Sequence, residues 1–130
     1  MRRQFQLAGV EEEQLAGRGL TWETVIENNT RWIIFHQYPI PEGYNYRVVN
    51  AALIIPPSYP DEQIDMVYFF PALALTNGKP IGALSPCQLD GNQYQRWSRH
   101  RKQDEWRPGL DNVYTHLLQV DSWLERELKK

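Results

Sequence analysis

The chain has 130 residues and a mass of 15.3 kDa, 42% of them hydrophobic and 12% aromatic, which is material for one core and not for two. Its 14 basic and 16 acidic residues leave a formal charge of -2 and a pI near 5.9, which excludes a surface that is basic throughout, as a nonspecific nucleic-acid binder needs. No apolar run approaches the ~18 residues that span a bilayer, and the single cysteine excludes an internal disulfide and a cysteine-rich zinc site.

In chain order, Met1-Arg2-Arg3 leads into Gln4-Phe5-Gln6 rather than into an apolar signal core, so a cytoplasmic protein is expected. A short helix is predicted over Val10–Ala16, with Glu11-Glu12-Glu13 at the positive end of its dipole and Gly17 and Gly19 ending it. The segments Trp22–Glu27 and Arg31–Tyr38, joined by Asn28-Asn29-Thr30, read as a hairpin. A third strand follows within Tyr46–Ile55, closed by Pro56-Pro57, and a fourth over Met66–Phe70, closed by Pro71. From Ala72 to Glu105 no periodicity is sustained, and this stretch is expected to be a long irregular segment with a function. The tail from Asp111 to Lys130 places Val113, Leu117, Val120, Leu124 and Leu128 at helical spacing, an amphipathic helix of about five turns with Gly109 and Asp111 as start signals. The expected architecture is a single α+β domain over 1–130. It consists of a helix, a four-stranded antiparallel meander, the irregular segment and a final helix, with helices on one sheet face.

The run Val49-Asn50-Ala51-Ala52-Leu53-Ile54-Ile55-Pro56-Pro57-Ser58-Tyr59-Pro60, followed by Met66-Val67-Tyr68-Phe69-Phe70-Pro71, resembles the third strand, Tyr-Pro turn and fourth strand of the ubiquitin-conjugating fold. Cys87, Trp106-Arg107-Pro108 and the last helix then stand in that family's order. Trp97-Ser98-Arg99-His100 before Trp106, with Leu110-Asp111 opening the helix, resembles a bacterial branch, prokaryotic family E of the ubiquitin-conjugating superfamily. The resemblance covers roughly Thr21 to Leu128. It implies a protein that carries a ubiquitin-like protein as a cysteine thioester and passes it to an amine. The implied partners are the ubiquitin-like protein, an activating enzyme and a metallopeptidase of the deubiquitinase type. No metal or organic cofactor is implied, because ATP is consumed by the activating enzyme.

Cys87 is the candidate acyl carrier, because a thiolate both accepts and releases an acyl group more readily than an alkoxide. Its neighbours Pro86, Ser85 and Gly82 indicate an extended, exposed loop. The blander expectation is that a lone cysteine is a small packing residue. The His-Pro-Asn triplet whose Asn stabilises the tetrahedral intermediate in ordinary family members is absent. Asn77, in Thr76-Asn77-Gly78, stands in its region, although Asn-Gly is foremost a turn former. His100 lies thirteen positions after Cys87, as the bacterial branch implies, and an imidazole in contact would lower the thiol pKa, take an amine proton or bind the oxyanion. Arg99 and Arg101 would supply positive charge, and Trp97 is the tryptophan expected at the surface of the site. His36 and His116 read as structural. Arg96, Arg99, Arg101 and Lys102, interleaved with Tyr94 and Trp97, also have the composition of a single-strand nucleic-acid contact, but Asp104-Glu105 and the overall charge argue against nucleic acid as a partner. Because the triplet is missing, a non-catalytic variant of the fold that only binds a ubiquitin-like protein or its activating enzyme is the alternative.

Overall fold

The computed structural model describes residues 1–102 and 104–130; Gln103, inside the stretch expected to be irregular, lies outside the described residues. Helix α1 (Gly9–Gly17) is followed by β1 (Thr21–Glu27), β2 (Thr30–Pro39), β3 (Val48–Ile55) and β4 (Val67–Phe70), close to the expected bounds. The chain then forms β5 (Leu84–Leu89) and β6 (Asn92–Trp97) before helix α2 (Val113–Leu128). The sheet has six strands in the order β1-β2-β3-β4-β6-β5, not four. Every pairing in it is antiparallel.

The missed pair has a physical cause. Neither Leu84–Leu89 nor Asn92–Trp97 contains a Val, Ile or Thr, so side-chain composition does not mark them as strands. The signal lies in the turn. Asp90 and Gly91 both take positive φ, 52° and 79°, and Leu89 pairs with Asn92, which makes a two-residue hairpin connection of the kind Asp-Gly favours. Asn28 and Asn29, with φ of 51° and 62°, make the same connection between β1 and β2.

Register sorts the side chains into two faces. Ile33, Phe35, Ala51, Leu53, Val67, Phe69 and Trp97 share one face. Onto it pack Leu15 of α1 and Val113, Leu117, Val120, Trp123 and Leu124 of α2, forming the main core. The opposite face carries a second, smaller core of Val25, Trp32, Ile34, Ala52, Tyr68, Leu89 and Tyr94, with Cys87 at its margin. No helix covers it. β4 pairs only with residues 95–97 of β6, so the tip of the β5–β6 hairpin is free to fold across the sheet toward β1. Leu89 and Val25 therefore share a cluster although their strands stand at opposite ends of the order. The closure is polar at its rim. The Asp90 N–H donates to Glu27 at 3.1 Å, and Arg2 bridges Asp90 at 2.6 Å and Glu23 at 3.0 Å.

Helix α2 starts one residue later than Asp111 suggests. Asn112 is its cap, with Oδ1 accepting the Thr115 N–H at 3.1 Å. Asp111 is buried instead beneath the turn before it, accepting the Arg107 N–H at 2.7 Å. Glu11 belongs to the first turn of α1, yet its carboxylate is buried, accepts the Val113 N–H of α2 at 3.0 Å and meets the Tyr59 hydroxyl. One acidic side chain thus ties both helix starts to the Tyr-Pro turn.

Candidate active site

Cys87 does not lie in an exposed loop. It sits in β5, the edge strand of the sheet, opposite Tyr94 of β6, and is half-buried. The backbone around it is extended, as Pro86 indicates, but it is extended because it is paired. The Ser98 N–H donates to the Ala83 carbonyl at 3.0 Å, and with the Leu84–Trp97 register this turns the peptide groups of 83, 85, 87 and 89 toward β6. Pro86 falls on the outward positions, where its missing N–H costs the ladder nothing and leaves one donor fewer on the open edge.

The thiol faces the second core, and the nearest acceptor for it is the Gln88 carbonyl, 3.8 Å from Sγ. Burial pushes the Cys87 thiol above its ordinary pKa; the Arg96 guanidinium pulls it down and the Glu27 carboxylate pushes it up. Arg96 stands in a cross-sheet row, opposite Ser85 on β5 and Tyr68 on β4. Arg96 Nε and Ser85 Oγ are buried with no hydrogen-bond partner. Arg96 and Ser85 escape a reading of the sequence alone. The alternation Ser85-x-Cys87 and Tyr94-x-Arg96 would place them beside the thiol only once the Asp90-Gly91 turn is recognised.

The other expected residues go elsewhere. His100 is not brought to Cys87. Its Nδ1 lies 2.8 Å from Asp65 Oδ2, its side chain is 60% exposed, and Asp65 also accepts the Arg101 N–H at 3.3 Å. From Tyr94, the partner of Cys87, to Trp97 is already about 10 Å of strand, and His100 lies three residues further on. Asn77 is the turn former: its Oδ1 accepts the Lys79 N–H at 2.9 Å, and Gly78 follows with φ of 79°.

Trp97 is wholly buried, at 0% exposure, rather than at the surface of a site. It packs edge-on against Phe69 at 5.3 Å, and its Nε1 donates to Gln95 at 2.8 Å. Arg99 lies over the Trp97 ring and joins Gly82 at 3.1 Å to Glu127 of α2 at 3.5 Å. Arg101 donates to His116 Nδ1 at 2.9 Å and stacks on Trp106. His116 is fully buried, and its Nε2 donates to the Met66 carbonyl at 2.8 Å. Accepting at one nitrogen and donating at the other, the ring is neutral, and burial pushes its pKa down to about 4. Arg99 and Arg101 therefore brace the segment after β6 against α2 and the loop before β4; they are not charge in reserve for the thiol. His36 is likewise engaged, 2.7 Å from Glu23.

Among the described residues no group of three His, Cys, Asp or Glu is placed to hold a metal ion, and no helix is long and apolar enough to cross a membrane. No curated protein and no solved structure matches the chain. Residues 7–127 do match a family model, described as Prokaryotic E2 family E. That match spans nearly the whole chain and includes the sheet, α1, all but the last residue of α2, and Cys87. The chain belongs to Prokaryotic E2 family E and is a ubiquitin-conjugating-like protein, whose family implies a ubiquitin-like protein as partner.

Proposed function

We propose that the protein is a conjugating acyltransferase that carries a ubiquitin-like protein as a thioester on Cys87. The observation that carries this reading is the position of the only thiol, half-exposed on an open sheet edge in a chain of this family. In the first step the Cys87 thiolate attacks the C-terminal carbonyl of the ubiquitin-like protein, which is held as a thioester on an activating enzyme, and that enzyme's thiolate leaves. In the second an acceptor amine, a lysine side chain, attacks the Cys87 thioester and loses a proton, and the Cys87 thiolate leaves. ATP is spent by the activating enzyme. A deubiquitinase-type metallopeptidase would reverse the linkage, and the setting is cytoplasmic.

The reading gives His100 no direct part in the proton transfer, since Asp65 holds it beyond the far end of β6. A second reading is favoured by the raised thiol pKa and the Asn77 turn: the fold binds a ubiquitin-like protein or its activating enzyme without a covalent step. The two separate on a non-reducing gel of the protein mixed with activating enzyme, ubiquitin-like protein and ATP. We expect a thiol-sensitive adduct that is absent in Cys87→Ala and undiminished in His100→Ala. An adduct that persists in Cys87→Ala overturns Cys87 as the carrier, and none in the wild type despite tight binding favours the second reading.

A further inference from the structure

We infer that Arg96 is the cation that serves Cys87, holding the thiolate and, once a thioester forms, the negative charge that develops on its carbonyl oxygen. The second half of this statement rests on the acyl-carrier reading above; the first does not.

The geometry is that of a two-strand diagonal. Cys87 pairs with Tyr94, and Arg96 is two residues along β6, so the two side chains leave the same sheet face as diagonal neighbours, a separation that a long side chain spans. Arg96 is the cation whose charge acts on the thiol, against burial and the Glu27 carboxylate. What distinguishes Arg96 from the arginines around it is that, among the described residues, it has no carboxylate or imidazole partner; its guanidinium meets only the Tyr68 hydroxyl across the sheet. Arg2 pairs with Glu23 and Asp90, Arg18 with Asp121, Arg99 with Glu127, and Arg101 donates to His116. Among the described residues no carboxylate comes within ion-pair distance of Arg96, and its Nε–H has no acceptor. The nearby acid, Glu27, is turned to the Asp90 N–H. An unpaired donor on a half-buried guanidinium is costly unless an anion occupies the site for part of the working cycle.

The chemistry supplies two such anions in succession, the thiolate of the free protein and the oxyanion of the tetrahedral intermediates at the same sulfur. Ser85, opposite Arg96 and two residues before Cys87, contributes a second donor without a partner. Together they take the place of the absent Asn of the His-Pro-Asn triplet. They reach it from the strand beside the cysteine rather than from a preceding loop.

The test is the pH dependence of Cys87 alkylation by iodoacetamide, followed by mass spectrometry on the folded full-length protein. Arg96→Gln should react about three- to tenfold more slowly at pH 7.5, with its titration moved to higher pH. Arg96→Lys, which keeps the charge, should lie near the wild type, and His100→Ala should match it. Arg96→Met keeps the apolar stem and serves as the neutral variant should the Gln protein fail to fold. Neutral variants that titrate with the wild type, or a shift produced by His100→Ala instead, would overturn the assignment. The gel experiment separates this from the carrier reading. Should the wild type form no adduct while the alkylation series behaves as stated, the thioester falls and the Arg96–Cys87 pairing stands. Should an adduct form at an equal rate in Arg96→Gln with alkylation unchanged, the pairing falls and the carrier stands.

Discussion

His116 shows how burial assigns a residue its chemistry. Two hydrogen bonds, from Arg101 and to the Met66 carbonyl, hold the neutral ring in a buried site where, among the described residues, no carboxylate lies within ion-pair distance of it. The folded pKa, about 4, lies below the ordinary value of 6.5, so the unfolded chain binds the extra proton first as pH falls. Stability is therefore complete above pH 6.5 and is lost progressively as pH falls toward 4. Between pH 7.5 and pH 5.0 the loss should be about 2 kcal/mol in urea unfolding, and His116→Gln should flatten that dependence. Two carboxylates stand below that window, because the Arg2 guanidinium holds Glu23 down at about 2 and lowers Asp90 as well. A pH profile unaltered by His116→Gln would exclude the buried neutral ring as its source.

The β5–β6 hairpin is the element on which the candidate site depends, because it alone carries Cys87, Ser85 and Arg96. Its sequence has weak strand character, so the connection and the packing of Leu89 and Tyr94 set its stability. Gly91 has φ of 79° and open space where a Cβ would stand, so substitution there strains the backbone and nothing else. Gly91→Ala should cost about 1 kcal/mol and speed hydrogen exchange in β5 and β6 while α2 keeps its protection. Equal loss of protection in α2 would mean that the hairpin does not open by itself. At this scale the sequence was legible where the pattern is strong. Val and Ile runs marked β1 to β4, and the apolar stripe Val113, Leu117, Val120, Leu124 marked α2. It was illegible where a strand is polar, as in Asn92-Gln93-Tyr94-Gln95-Arg96, whose partners are chosen by a turn and not by composition.

Across the molecule, two layers must be joined: helices on one face of a sheet that has apolar side chains on both. Glu11 is one of the joints, linking α1 to the first amide of α2 and to Tyr59. Removing its carboxylate leaves the Val113 N–H without that acceptor in a buried site. Glu11→Ala should lower stability by roughly 1–3 kcal/mol. The thermal transition should remain single, with tryptophan fluorescence and helical ellipticity moving together. Transitions that separate would show the helices melting from an intact sheet. The second joint is the curl that brings the hairpin tip to β1 through Arg2, Asp90 and Glu27.

What the sequence determined alone was the α+β class, the first four strands, both helices and that the chain has one thiol, Cys87. These follow from local period, proline and glycine punctuation and composition, all of which act over a few residues. What only the tertiary structure decided was the company that thiol keeps. His100, Arg99 and Arg101 are close to Cys87 along the chain but are drawn off by Asp65, Glu127 and His116. Arg96 reaches the same sheet face as the thiol because an antiparallel register sets it there. Pairing between strands is a choice among distant partners, and it is made by burial and turn geometry rather than by separation in sequence.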